Sequence, residues 1–240
     1  MTFVRRYRWL ARPCVTASFL IPSFVGVPQN SPCEVQQDTL AHVLSAIDQS
    51  NKNLRDFRAQ VRQKKYFADM GEEITFLGTV AYARPKQMLW EFTSPDPSSL
   101  LIRSDGIWLI VPGMKQVQKV GSAGKEGFVE RMESYFLGFE KSLSEMKRHD
   151  YQIEAQGIQD LELGRAQVIR LMHPTDPFAT EIWMWFDTSR GVPLRIRWKS
   201  AQGDLTTTDF FELKINEGVD PHLFDLRVPA GYETVLSEDL

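Results

Sequence analysis

The sequence predicts a mainly β fold of the α+β class, in which one curved, open antiparallel sheet is covered by helices. Three observations predict it. Apolar and polar residues alternate with a period of two through most of residues 57–111 and 151–215, the pattern of strands with one buried face. Turn residues break that alternation at short intervals, above all Asp105-Gly106, a dipeptide that tolerates the positive φ angles of a tight hairpin. Helical periodicity appears only in residues 38–50 and 126–146, so helices stand at the start and in the middle of a chain otherwise built of strands.

Residues 1–33 read as a signal peptide followed by a short N-terminal tail. Arg5, Arg6, Arg8 and Arg12 precede an apolar stretch at residues 15–27, and no acid occurs before Glu34, which is the order of a secretory leader. That stretch falls short of the roughly 20 apolar residues a helix needs to span a bilayer, and Pro22 interrupts it. Cleavage is expected near residues 26–34, without a clean small-x-small site; the competing reading is a disordered cytosolic tail. Cys14 falls in the leader and Cys33 near the mature N-terminus, which leaves no disulfide to close the rest. Pro32 directly before Cys33 fits a lipidation signal poorly. Residues 34–240 are therefore expected to form one domain that stands on its core, and 42% hydrophobic residues suffice to build one.

In residues 38–50, Asp38 is the expected N-cap, and Leu40, Val43, Leu44 and Ile47 form one apolar stripe. Strands follow at residues 57–63 and 74–84, where Ile74, Phe76, Gly78, Val80, Tyr82 and Arg84 share a face by period two. Met88, Trp90 and Phe92 continue a one-face pattern beyond Pro85, and residues 100–104 and 107–111 form the hairpin around Asp105-Gly106. Residues 126–146 carry Phe128, Met132, Tyr135, Phe136, Phe139, Leu143 and Met146 at spacings of three and four, broken by Gly138; two short helices are expected. Strands return at residues 151–155, 166–172, 181–187, 193–200 and 205–215.

A sheet face lined by aromatics, methionines and leucines cannot be left in water. The helices either plug it permanently or form a lid over a ligand cavity, and residue patterning does not choose between them. The run Gly78-Thr-Val-Ala-Tyr-Ala-Arg84-Pro85-Lys-Gln-Met88-Leu-Trp90-Glu-Phe92, then Ser94-Pro95 and Ser104-Asp105-Gly106-Ile-Trp108, resembles the LolA family of periplasmic lipoprotein carriers. Trp183-Met-Trp185-Phe, Gly191-Val-Pro193-Leu-Arg195 and Leu223-Phe224 before Val228-Pro229-Ala-Gly231 continue that pattern in order, so the resemblance covers roughly residues 38–235. It implies an incomplete β-barrel that takes up lipoprotein acyl chains under a movable helical lid.

On that resemblance Arg84 is the gating residue, a guanidinium that ties carbonyls of a lid helix in the closed state. Five donors and a permanent charge suit the task. Met88, Trp90, Phe92, Leu100 and Ile102, with Phe136 and Leu137 on the lid, are the implied acyl-chain lining, since thioethers deform to irregular ligands and rings supply rigid wall. On spacing alone, Arg84 is a surface arginine at a strand end and the others are ordinary core.

Other functions find little footing. A net charge of −3 without a basic stripe argues against nucleic acid. His42, His149, His173 and His222 are scattered, and residues 121–126 make a poor phosphate loop because Glu126 follows Lys125 where a Ser or Thr belongs. Neither Glu72-Glu73 nor Asp225 has a partner that sequence can assign, and no Gly-x-Ser-x-Gly elbow occurs. No catalytic residue, metal or cofactor is expected. The leading expectation from the resemblance is a monomeric periplasmic chaperone that receives acylated lipoproteins from an ABC-type inner-membrane releasing complex and passes them to an outer-membrane receptor. Another lipid carrier or a lipoprotein sensor on the same fold is the alternative, and an enzyme on this scaffold the third.

Overall fold

The computed structural model describes residues 32–120, 143, 151–176 and 179–237. Helix α1 (Pro32–Asn53) leads into β1 (Asp56–Phe67), β2 (Glu72–Ala83), β3 (Gln87–Ser94), β4 (Ser98–Arg103), β5 (Gly106–Val111) and β6 (Gln116–Val120). After the intervening segment come β7 (Gln152–Leu161), β8 (Gly164–Met172), β9 (Glu181–Asp187), β10 (Pro193–Lys199), β11 (Leu205–Ile215) and β12 (Glu233–Ser237). All twelve strands form one sheet in the order β12-β6-β5-β4-β3-β2-β1-β11-β10-β9-β8-β7. β12 and β7 are its two edges and do not pair with each other, so the barrel is incomplete, as expected.

Two expectations are corrected. The sheet is not wholly antiparallel, because β12 pairs with β6 in parallel. The chain leaves β11, packs Val219, Phe224, Leu226 and Tyr232 on the outer side of Leu89, Leu101 and Trp108, and reaches β6 by this crossover rather than a hairpin, which permits the parallel sense. β6 and β12 themselves escaped periodicity because both are five residues long, with few apolar positions to count. Helix α1 starts at Pro32, so Asp38 lies inside it and is not its N-cap; proline is tolerated in the first turn, where its missing N–H would have had no partner. Phe136 and Leu137, and the two helices expected in residues 126–146, lie outside the described residues, apart from Leu143, which is helical and fully buried.

The core lies on the inner face of the sheet. One cluster joins Leu44, Ile47 and Leu54 at α1 to residues of β1–β5 on one half and β7–β11 on the other, with Leu143 among them. Register explains the first half: Phe57, Tyr82, Met88, Ile102 and Ile107 are successive cross-strand partners, and Ala59, Val80, Trp90, Leu100 and Leu109 form the next row. A one-residue slip would turn all of them to the outside. Gly78 stands where the β2–β3 register shifts, and a Cβ there would collide with the carbonyl of Glu91; only glycine allows the backbones that close. The outer face is also partly covered, by the crossover on one side and by Ala166, Val168, Trp185 and Leu194 on the other.

Candidate functional site

The strand residues that sequence assigned to an apolar wall share the inner face beneath α1. Met88 pairs with Ile102 and Trp90 with Leu100 across β3–β4. Met88 and Ile102 are fully buried and Trp90 nearly so, while Phe92 and Leu100 are half-buried and pack against the same cluster. The Trp90 ring stacks on Phe92 at 6.1 Å between centroids and meets Phe210 of β11 at 6.0 Å. Its indole N–H points at the Met88 sulfur at 2.9 Å. This wall is soft at the thioether and rigid at the rings.

Arg84 follows the end of β2, where it is exposed. Its Nη2 donates to the carbonyl of Asn51 at 2.8 Å, and its backbone N–H donates to the carbonyl of Arg55 at 2.9 Å. Asn51 lies in the last turn of α1, whose final carbonyls have no partner within the helix; a guanidinium there also complements the negative end of the helix dipole. Asn216 serves the same end, since its Nδ2 donates to the carbonyl of Asn53 at 3.0 Å and its Oδ1 accepts from the N–H of Arg55 at 2.7 Å. On the opposite side, Ser50 packs so tightly against Gly191 of the β9–β10 turn that a Cβ on that glycine would overlap it. The C-terminal end of α1 is thus held by both halves of the sheet.

Three polar features under or beside α1 were not foreseen. Asp48 is 9% exposed and accepts the backbone N–H of Leu143 at 2.8 Å, linking α1 to the middle segment. Asn51 is 4% exposed, and neither its Oδ1 nor its Nδ2 has a hydrogen-bond partner. Thr206 and Thr208, on the inner side of β11, are buried as well; Gln63 donates to Thr208, whereas the Thr206 hydroxyl is unpaired. The signal for the first two was in the sequence: Asp48 and Asn51 prolong the Leu44-Ile47 stripe at helical spacing, so a polar residue interrupts an apolar face at two successive turns.

Among the described residues no cluster of His, Cys, Asp and Glu could hold a metal ion, and no helix is long and apolar enough to cross a membrane. His222 and Asp225 pair with each other at 3.0 Å on the exposed crossover, which gives Asp225 the partner sequence could not assign.

An open sheet whose greasy inner face is closed by a separately tied helix defines a class of hydrophobic-ligand-binding folds. The family model described as "Outer membrane lipoprotein carrier protein LolA" matches residues 52–227, and the chain belongs to that family. No curated protein sequence matches at a significant level. Among solved structures, an uncharacterized conserved protein from Thermus thermophilus is similar at 12% identity and a TM-score of 0.54, over 82% of this chain and 99% of that one. A LolA superfamily protein from Nitrosomonas europaea is similar at 11% identity and 0.39, over 78% and 97% of the two chains. The MucA/MucB complex of Pseudomonas aeruginosa is similar at 10% identity and 0.47, over 79% of this chain and 61% of that one. The first likeness is one of fold.

Proposed function

We propose that this protein is a periplasmic chaperone that holds the acyl chains of lipoproteins against the inner face of its sheet and carries them from the inner to the outer membrane. The observation that carries this reading is the wall of Met88, Trp90, Phe92, Leu100 and Ile102, joined into one cluster with a helix whose end is tied by two side chains, Arg84 and Asn216. Membership of the family supports it. The carrier works as a monomer, without catalysis or cofactor, and takes its load from an ABC-type inner-membrane complex and yields it to an outer-membrane receptor. An acyl chain gains about 0.8 kcal/mol for each CH₂ withdrawn from water, so a carrier must grip adaptably and release on demand. A helix whose closed position competes with the load lowers the apparent affinity and makes release possible.

The unpaired Thr206 hydroxyl at one end of the inner face favours a second reading, a lipid with a polar headgroup such as a glycolipid. Extraction of the protein purified from the periplasm and mass spectrometry of the extract separates the two. Acylated peptide or diacylglyceryl-cysteine is expected; glycolipid supports the second reading, and absence of any acyl species, or full-length protein remaining in the cytosol, overturns the carrier. In a variant retaining only Trp90 among the tryptophans, binding of a fatty-acyl probe should shift or quench the fluorescence, and an unchanged spectrum on binding would place the site elsewhere.

A further inference from the structure

The outer face of β1, β11, β10 and β9 carries a second arrangement that the carrier reading does not use. Register places Arg62, Asp209, Arg195 and Trp185 side by side across four strands, and Lys64, Thr207, Arg197 and Trp183 beside them in the next row. A groove of about 580 Å³ runs over these rows. Four cations, Arg62, Lys64, Arg195 and Arg197, line it against only two carboxylates, Asp209 and Glu73, in a chain whose net charge is −3.

The carboxylates are already committed. Asp209 is 4% exposed and shared between Arg62, at 3.0 Å, and Arg195, and Glu73 pairs with Lys64 at 3.2 Å on the rim. Arg197 lies over two indoles, 5.2 Å from the Trp183 ring centre and 5.6 Å from that of Trp185; Glu181, whose carboxyl feels its charge, is itself taken by Arg170 and the Trp183 indole N–H, and no carboxylate among the described residues forms an ion pair with Arg197. Donors that are positioned by stacking, half-buried and left over after all nearby acids are used are arranged to receive an external anion.

We propose that this outer groove docks an acidic, extended segment of a partner protein, with Arg197 as the principal carboxylate receptor. The spacing selects a peptide. Arg62 and Arg195 already converge on one carboxylate, Asp209, whereas Lys64 and Arg197 stand two strands apart, about 10 Å at the usual interstrand distance, and turn away from each other, Lys64 to Glu73 on β2 and Arg197 to the indoles of β9. A single phosphate cannot reach both of these, whereas carboxylates along an extended chain can. The exposed Tyr66 and Leu205 at one end of the groove give the aliphatic stems of such a segment a surface to lie on. The site is separate from the acyl wall, on the opposite side of the sheet, and the inference stands whether or not the carrier reading does.

The test is titration of the purified protein with a capped hexaglutamate peptide, followed by calorimetry and by tryptophan fluorescence, with hexaglutamine, inorganic phosphate and phosphatidylglycerol vesicles in parallel. Hexaglutamate alone should bind, at least tenfold more weakly in 500 mM than in 50 mM salt. Arg197→Gln should weaken it tenfold or more, with Arg197→Lys intermediate because an ammonium lacks the planar fork. The exposed Lys64→Gln, which leaves the indole stack alone, should weaken it by a smaller factor and keeps the test decisive if Arg197→Gln does not fold. Equal binding of hexaglutamine, preferential binding of phosphate or vesicles, or wild-type affinity in both folded variants overturns the proposal. Binding of a fatty-acyl probe should stay unchanged in both variants.

Discussion

Replacing Arg84 by leucine tests the idea that closure of α1 is adjustable. The substitution removes the bond from Nη2 to the Asn51 carbonyl and the charge at the helix end, while Asn216 still holds Asn53 and Ser50 still packs on Gly191. A hydrogen bond from a charged donor contributes about 1.5–3 kcal/mol when well shielded. Arg84 is exposed, so screening brings this to about 1 kcal/mol, and loss of the favourable end charge adds about 0.3–0.5 kcal/mol. The sum, about 1.4 kcal/mol, corresponds to roughly a tenfold shift toward undocked α1.

Two readouts follow from that shift. The backbone N–H of Leu54 donates to the same Asn51 carbonyl at 3.1 Å, so its hydrogen exchange should accelerate about tenfold while amides of β1 and β11 remain protected. Lipoprotein uptake from inner-membrane vesicles should persist, and transfer to an acceptor should slow about tenfold, because a helix that competes less with the load leaves the load more tightly held. Arg84→Lys should restore transfer in part. A folded Arg84→Leu protein with wild-type exchange and wild-type transfer would refute the tie.

Asn51→Leu should act in the opposite sense: it replaces two buried unpaired polar atoms by apolar ones of similar volume and keeps the carbonyl that Arg84 holds, so stability should rise by about 1–2 kcal/mol, read as a higher urea midpoint, and acyl-probe uptake should fall. Asp187 sets an acid limb of stability. Burial alone would push its carboxyl up, but the Ser189 hydroxyl, the Arg190 guanidinium and both backbone N–H groups bring it down to about 2. Because the folded value lies below the unfolded one, this stabilisation is complete above about pH 4 and is lost as pH falls through about 2; it amounts to about 2 kcal/mol. Urea midpoints between pH 2 and 5 should show that loss, and Asp187→Asn should flatten it.

The strands were legible because burial on one face imposes a period of two that no other element imitates. The Met88-Trp90-Phe92 pattern and the Asp105-Gly106 hairpin therefore appear in the structure at the positions where sequence put them. Pairing order was beyond periodicity. Nothing local in residues 205–215 says that β11 lies beside β1, a contact made between residues some 150 positions apart, such as Gln63 and Thr208. The same limit hid the outer groove: Trp183-Met-Trp185 and Arg195-Ile-Arg197 each look like a strand with a mixed face, and only the β9–β10 register sets guanidinium over indole. The donor at Arg84 was expected from the family pattern, but its acceptor at Asn51 and its companion Asn216 required the fold.

Closure of the inner face is a balance between a greasy seam and polar defects placed within it. Leu44, Ile47 and Leu54 bury themselves against the sheet, and each such side chain contributes about 1.5–3 kcal/mol when withdrawn from water. Against this stand the unpaired amide of Asn51 and the hydroxyl of Thr206, each costing about 1–3 kcal/mol by being held away from water without a partner. A permanent plug would gain by filling those positions with apolar side chains. A reversible cover does not, because the excess binding energy it would acquire is energy that an incoming acyl chain must displace. The polar residues on the buried stripe of α1 therefore fit a helix meant to leave its seat, and the ties at Arg84 and Asn216, both at its C-terminal end, are the bonds that such a departure would have to break.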